Sequence, residues 1–473
     1  MDKNPEYDAV IVGSGPNGFS AAITLAREGL KTVLLEAKNE IGGGVRSGLL
    51  KGKNIYDNCS AVHPLAIASP VFNSMPLERF GLKWIFPEIN LAHPLDDGSA
   101  AFLSQSISDF KKDFSEDESF FNFLNGLIEN PASLNYFFNP LKFSGSLLSK
   151  IKFAGNALRS AENFVGRTIK NEKLKSLFIG NAAHSGAKLN SPATSAVGIF
   201  LILLAYKNGW GFPKGGAQEL TEALAAYFRS LGGKIITDFE VKNAADIPTA
   251  KIVLLDLTPK QILKIMDERL PHLYKKQLKK FEYGPGSFKV DFLIEDEIPF
   301  TNSETGKAGT VHLGGSFQEI IAAEEKVFGG GIPEKPFVIL SQQSKFDRSR
   351  AEDGKNVVWS YCHVPNNSGV DMTDKIESQI ERFAPGFKEK IISKKITSAS
   401  GLENYNSNYI GGDINGGLFA WNQLLTRPAV KINPYKIPVE GFYICSSSTP
   451  PGGGVHGVCG YNAALSALKI AKL

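Results

Sequence analysis

The feature that most constrains this chain is the turn Gly13-Ser14-Gly15-Pro16-Asn17-Gly18, a G-x-G-x-x-G run set between an apolar segment and a helical one. Residues 8–12 (DAVIV) are rich in β-branched side chains, as expected of a strand buried on both faces. Phe19, Ala22, Ile23 and Ala26 then share one side of a helix that stops at Gly29, and a second apolar strand, Thr32–Leu35, ends at Glu36. Each position has a physical reason. Gly13 permits the tight turn, Gly15 lets backbone approach a pyrophosphate, and Gly18 lets helix and strand pack closely. The pyrophosphate would rest on unpaired N–H groups at the positive end of the helix, where Pro16 needs no donor and Asn17 sits in the same run. Glu36 would accept hydrogen bonds from ribose hydroxyls and repel a 2′-phosphate, which argues against NADP. Glycines that serve packing alone are the competing reading, and the strand–helix–strand–acid context disfavours it. Between NAD and FAD the run itself is silent.

Bulk properties narrow the remaining classes. A chain of 473 residues is too long for one ordinary core, so two domains, or one split domain with an insert, are expected. With 52 basic against 48 acidic residues the formal charge is +4, and no basic block suggests nucleic acid. Cys59, Cys362, Cys445 and Cys459 are scattered and form no C-x-x-C, which argues against a disulfide scaffold, a bound metal or a redox-active dithiol. Reduced thiols in the cytoplasm are the plain reading. Met1 to Tyr7 is polar and unlike a secretory signal. The apolar run Ala196–Tyr206 is about half the roughly 20 residues that span a bilayer, so it reads as a buried helix. The expectation is a soluble protein, at most peripheral on the inner face of a membrane.

Beyond the first unit the rhythm changes. Between Pro76 and about Leu204 aromatics crowd together (Phe120, Phe121, Phe123, Tyr136, Phe137, Phe138), and this region reads as a helical insert. Leu147, Ile151, Ala154, Leu158, Ala161 and Val165 predict one amphipathic helix over 147–165, flanked by Lys150, Lys152 and Arg159. Its readings are a buried helix of the insert or a surface for a membrane carrying a lipid substrate. A helix is expected near Gln218–Ser230, with strands near Ile235, Val241 and in KIVLLDL. SFKVDFLI, PFVILSQQ and NVVWSYCHV alternate as in a half-exposed sheet, and a last helix starts at about Gly457.

The run E-A-K-N-E-I-G-G-G-V-R-S, residues 36–47, resembles the signature of the large FAD family that holds amine oxidases, protoporphyrinogen oxidases and carotenoid desaturases. The resemblance implies that Ala37, Gly43, Gly44 and Arg46 lie along the cofactor, with Arg46 two places later than the family arginine. Pro213-Lys214-Gly215-Gly216, Gly232-Gly233 and Glu240-Val241 resemble a further unit, in which Val241 would meet the adenine. Asp57-Asn58-Cys59-Ser60 with His63-Pro64, and the C-terminal Gly441–Gly457 stretch, resemble the phytoene desaturase branch, the group of phytoene dehydrogenase and related proteins. There a glycine-rich turn and helix start, here with Gly454, His456 and Gly457, would adjoin the flavin and stabilise its reduced, anionic form. The implied fold is α/β: a discontinuous Rossmann-type FAD-binding domain (1–75, 205–260 and 400–473) with an inserted α+β substrate domain (76–204 and 261–399), as in amine oxidases and phytoene desaturases.

The implied activity is FAD-dependent oxidation or reduction of C–C bonds in a hydrophobic, isoprenoid-like small molecule, with hydride passing to or from flavin N5. Rivals are an amine-oxidase relative and an FAD-binding interaction protein without turnover. No second G-x-G-x-x-G follows a strand, so the substrate is expected to reduce the flavin directly, with oxygen, a quinone or another flavoprotein as electron acceptor. Candidate catalytic residues are few. His456 could donate to the flavin or substrate, or simply shape its turn, and His63 and His184 are the other histidine candidates. Lys289 is a possible counterpart of the lysine that holds water at N5 in amine oxidases. Its ordinary reading is a solvent-facing strand lysine.

Overall fold

Apolar strands from five distant segments assemble one parallel sheet, in the order Phe442–Ile444, Ile252–Leu255, Ala9–Val12, Thr32–Leu35, Lys234–Ile236. Ala9 pairs with Thr32 on one side and Ile252 on the other, so the first strand lies at the centre. Its four residues are all buried, as the unbroken AVIV run requires. The structure, a computed structural model, describes residues 6–139, 153–424 and 426–471. The first helix, Pro16–Arg27, lies against the last, Val458–Ala471, and Gly460 makes this possible, because a Cβ there would sit 1.8 Å from the Asn17 carbonyl oxygen.

A second, seven-stranded sheet runs Ile391–Thr397, Gly286–Glu295, Lys355–Val364, Val338–Ser341, Ala308–Leu313, Ile89–Pro94, Ala100–Ser104. Every neighbouring pair is antiparallel except Ala308–Leu313 with Ile89–Pro94. Alternation sorts its side chains. Phe288, Val290, Phe292, Val358 and Cys362 face a core closed by Ile376, Ile380 and Phe383 of the helix Thr373–Phe383. Trp359, Tyr361 and Ile339 face the other way, toward the helical region. The expected half-exposed sheet is therefore corrected: Gly286–Ile294 is buried throughout, because helices cover one face and side chains of the hairpin 47–57, Leu50 and Tyr56 among them, pack on the other.

Two further expectations change. Residues 140–152 lie outside the described residues. Beyond them a helical stretch ends at Ala157, the chain turns over Leu158–Arg159, and Ser160 Oγ caps a new helix, Ala161–Thr168, by accepting from Asn163 N. A single helix through residue 165 is thus interrupted where a serine offers its side chain to the backbone. Val241 lies in a loop rather than a strand. The buried-helix reading of the apolar run holds as Thr194–Lys207, which packs on Glu172–Ala183. Among the described residues no helix is long and apolar enough to cross a membrane.

Candidate cofactor and substrate cavity

One cavity runs from the first glycine turn, across the C-terminal turn, to the second sheet. Gly13, Gly15, Pro16, Asn17, Glu36, Ala37, Gly43, Gly44, Arg46, Val241 and Gly454 all line it. Residues from three separate stretches of sequence are thus brought together. Its floor is bare backbone: a Cβ on Gly15 would lie 2.7 Å from Asp256 Oδ2, one on Gly43 3.0 Å from the Gly15 Cα, and one on Gly44 1.8 Å from the Tyr409 hydroxyl. The helix Pro16–Arg27 has Gly15 as its N-cap and no side-chain cap; Pro16 brings no N–H and the Gly18 and Phe19 amides are engaged, so the Asn17 amide is the one the first turn leaves to an anion. Glu36 steadies the loop by accepting from Ser14 N at 3.1 Å, from Ser14 Oγ, and from Lys38 N at 2.9 Å. A carboxylate has about four acceptor sites, so room remains for a ribose hydroxyl. A glycine-floored groove, an uncapped helix start and a placed carboxylate fit an extended dinucleotide.

Three of the expected cofactor contacts do not line the cavity. Gly18 sits beneath it, its N–H donating to Asp256 Oδ2 at 3.0 Å, and its missing Cβ would strike the Gly13 oxygen at 2.0 Å. Gly457 (φ 68°) lets the last helix start against Ser20 and Phe72. His456 is buried with both ring nitrogens engaged in its own turn: Nε2 donates to Gly452 O at 3.2 Å and Nδ1 accepts from Val458 N at 3.0 Å. Burial lowers its pKa to about 4, so it is a neutral turn-former.

Lys289 is the clearest correction among the candidates. It is not solvent-facing. It is buried, pairs with Asp291 on the same face of its strand, and lies 5.8 Å from the Trp359 ring centroid, outside the cavity lining. Burial lowers its pKa against the opposing pull of Asp291, and burial raises Asp291 to about 6. His63 does reach the cavity. Its Nε2 is 2.7 Å from Ser60 Oγ, and burial lowers its pKa to about 4.

Sequence reasoning passed over several lining residues. Asp256, Thr258, Tyr405, Asn408 and Tyr409 come from segments without a motif. Arg46 is held by Tyr405: its Nε donates to the phenol at 3.0 Å and its guanidinium stacks 4.1 Å over the ring. Past the C-terminal turn the walls turn apolar, with Leu65, Leu201, Trp210, Ile339, Trp359 and Ile414. The W-S-Y-C-H run of residues 359–363 was a usable signal, since alternate residues of one strand share a face.

The segment carrying Gly13–Gly18, Gly42–Gly44 and Glu36 is the part of the chain that matches a known family. Residues 8–61 match the FAD dependent oxidoreductase family. This chain is an FAD-dependent oxidoreductase. The flavoprotein is 25% identical to pyridine nucleotide-disulfide oxidoreductase domain-containing protein 2 of Mus musculus, over 97% of this chain and 93% of the relative. It is 22% identical to a phytoene desaturase (lycopene-forming) of Paracoccus sp., over 98% of this chain and 97% of that protein. In fold, the flavoprotein is similar to an oxidoreductase from Methanosarcina mazei, with a TM-score of 0.65 at 15% identity, covering 98% of this chain and all of the other. These likenesses agree with the α/β architecture and with the FAD-type groove.

Proposed function

We propose that this oxidoreductase acts on C–C bonds of a hydrophobic, isoprenoid-like small molecule. The observation that carries the reading is the continuity of the glycine-floored groove with an apolar compartment walled by Leu65, Leu201, Trp210, Ile339 and Trp359. FAD, when bound, would supply hydride acceptance or donation at N5. The chain's own residues do the rest. Segments 1–75, 205–260 and 400–473 form the cofactor part. Gly13, Gly15, Asn17, Glu36, Ala37, Gly43, Gly44, Arg46, Val241 and Gly454 serve as its contacts, and Pro16, Gly18, His456 and Gly457 shape the turns that present them. The apolar walls orient the substrate and exclude water. Oxygen or a quinone is the proposed electron acceptor, and the cytoplasm, with contact at a membrane surface, the proposed location.

An anaerobic screen tests this reading. Isoprenoids and other lipids are added to the holoprotein and loss of visible flavin absorbance is followed. Bleaching by isoprenoids supports it, and bleaching by polyamines alone would replace it with amine oxidation.

A further inference from the structure

At the end of the cavity remote from the first glycine turn, two polar side chains, the buried His363 and the half-buried His184, interrupt the apolar lining, each backed by a buried partner. His363, on the strand Lys355–Val364, is bonded through Nδ1 to the Glu324 carboxylate at 2.8 Å. His184, at the end of the helix Glu172–Ala183, meets His312 with the two Nε2 atoms 2.9 Å apart. His184 and His363 line the cavity, together with Tyr361 and Thr310, whereas Glu324 and His312 stand behind them. We propose that this end is a recognition site for an uncharged oxygen-bearing group of the substrate, a hydroxyl or carbonyl, held by His363 and His184. The inference deepens the proposed function and rests on the cavity being the substrate site.

The hydrogen-bond geometry sets what each ring offers. Two imidazoles joined through Nε2 atoms share one proton. His312 Nδ1 is buried without a partner. An unpaired buried N–H is costlier than an unpaired lone pair, so His312 carries its proton on Nε2 and donates it to His184. His184, accepting at Nε2, carries its own proton on Nδ1. It is thereby a neutral donor of one tautomer. Burial, with His363 adding to it, lowers its pKa to about 3, which keeps it neutral.

His363 is oriented by the other pair. Nδ1–H donates to Glu324, and Nε2 has no protein partner among the described residues. Burial pushes its pKa down, but the charge and hydrogen bond of Glu324, with Asp413 farther off, outweigh burial, and the net direction is up. The groups around it are Glu324 from the helix Phe317–Phe328, His184 from the facing helix, Asp413 from a loop, and Tyr361 on its own strand, rings 5.7 Å apart. Protonated, His363 donates through Nε2, and neutral, it accepts there. A hydroxyl satisfies both rings in either state of His363, and a carbonyl does so when His363 is protonated.

Charge decides against an anionic head group. Glu324 and protonated His363 already cancel, and His184 and His312 are neutral, so a bound carboxylate would be an unmatched charge in a buried site. A plain hydrocarbon end would leave two ring nitrogens unpaired. An uncharged oxygen avoids both penalties.

The test uses holoprotein, with 1-octanol, n-octane and octanoate as probes, reading the perturbation of the flavin spectrum. The Glu324→Leu/His363→Leu double variant removes both partners and strands no charge, and retention of FAD and of the melting temperature checks its fold. The hydroxyl should be worth at least about tenfold more affinity, octanol against octane, in the wild type than in the double variant. In labelled wild-type protein, octanol should shift the ring-nitrogen resonances of His363 and His184 and leave those of His456 in place. An equal octanol-to-octane ratio in both proteins, unmoved His363 and His184 resonances, or octanoate binding tighter than octanol would each overturn the inference alone. If no probe perturbs the flavin, the cavity is not the substrate site, and both readings fall.

Discussion

Asn17 Nδ2 donates to Ser447 Oγ at 3.2 Å, a bond between residues 430 positions apart in the chain. It ties the start of the first helix to the turn before the last, and both residues line the cavity. The start of the first helix and the C-terminal glycine turn therefore border one groove, the arrangement expected for gripping a single extended, anionic cofactor.

The groove floor depends on absent side chains. Gly15→Ala places a methyl 2.7 Å from Asp256 Oδ2, a side-chain atom that can give way, whereas Gly18→Ala drives one to 2.0 Å from the Gly13 backbone oxygen. Gly15→Ala should weaken FAD binding about tenfold or more with a modest loss of stability. Gly18→Ala should destabilise the fold by about 1–3 kcal/mol or beyond. Fluorescence titration of apoprotein and urea denaturation check the pair.

Asp256 should make stability depend on pH. Burial, reinforced by Glu36 and opposed by the Gly18 N–H, raises its pKa from the ordinary carboxylate range to about 7. From about pH 4 to about pH 7 the folded chain holds this proton and the unfolded chain does not, so stability falls as pH rises through that window and levels off above it. Asp256→Asn keeps an acceptor for Gly18 and removes the titration. Relative to wild type it should gain on the order of 4 kcal/mol between about pH 4 and about pH 8. Urea denaturation at several pH values measures this, and a gain independent of pH would contradict it.

Arg350 ties together three segments distant in the chain or bent back on it. It pairs with Asp57 at 2.7 Å, donates to the Pro213 carbonyl at 2.6 Å, and meets Asp347 at 3.2 Å, all shielded from water. Asp57 in turn accepts from Ala217 N at 2.7 Å and Ser47 Oγ at 2.8 Å. Arg350→Met strands two carboxylates and should cost about 3–5 kcal/mol, measured by urea unfolding. Asp57→Asn, which retains an acceptor, should cost less.

Lys289 should prove structural. Lys289→Met alone leaves Asp291 unpaired in the interior and should lose about 3–5 kcal/mol. Lys289→Met/Asp291→Leu should recover most of that, and its rate of flavin reduction should stay within about threefold of wild type, since neither residue lines the cavity. Stopped-flow absorbance on the double variant checks this, and a loss of about a hundredfold would return Lys289 to the reacting centre.

What the sequence displayed was local. The strand Thr32–Leu35, the helix Gln218–Ser230 and the βαβ start read directly, because glycine spacing and apolar period are properties of neighbours in the chain. Asp256 stayed hidden because its partner, Gly18, lies 238 residues away. The Glu324–His363 pair is likewise a contact between a helix and a strand 39 residues apart. NVVWSYCHV displayed its alternation, but not that the face carrying Trp359, Tyr361 and His363 looks into a cavity rather than solvent. Lys289 and Asp291 were closer to legible: two residues apart on a strand, they had to share a face.

Hydrogen exchange on apoprotein, with and without FAD, tests the central claim most directly. Amides of residues 13–18 and of residues 452–457 should both gain protection on the same FAD titration, with one equivalent bound. Protection of the first turn alone, with the C-terminal turn unchanged, would contradict a cofactor held between the two glycine turns.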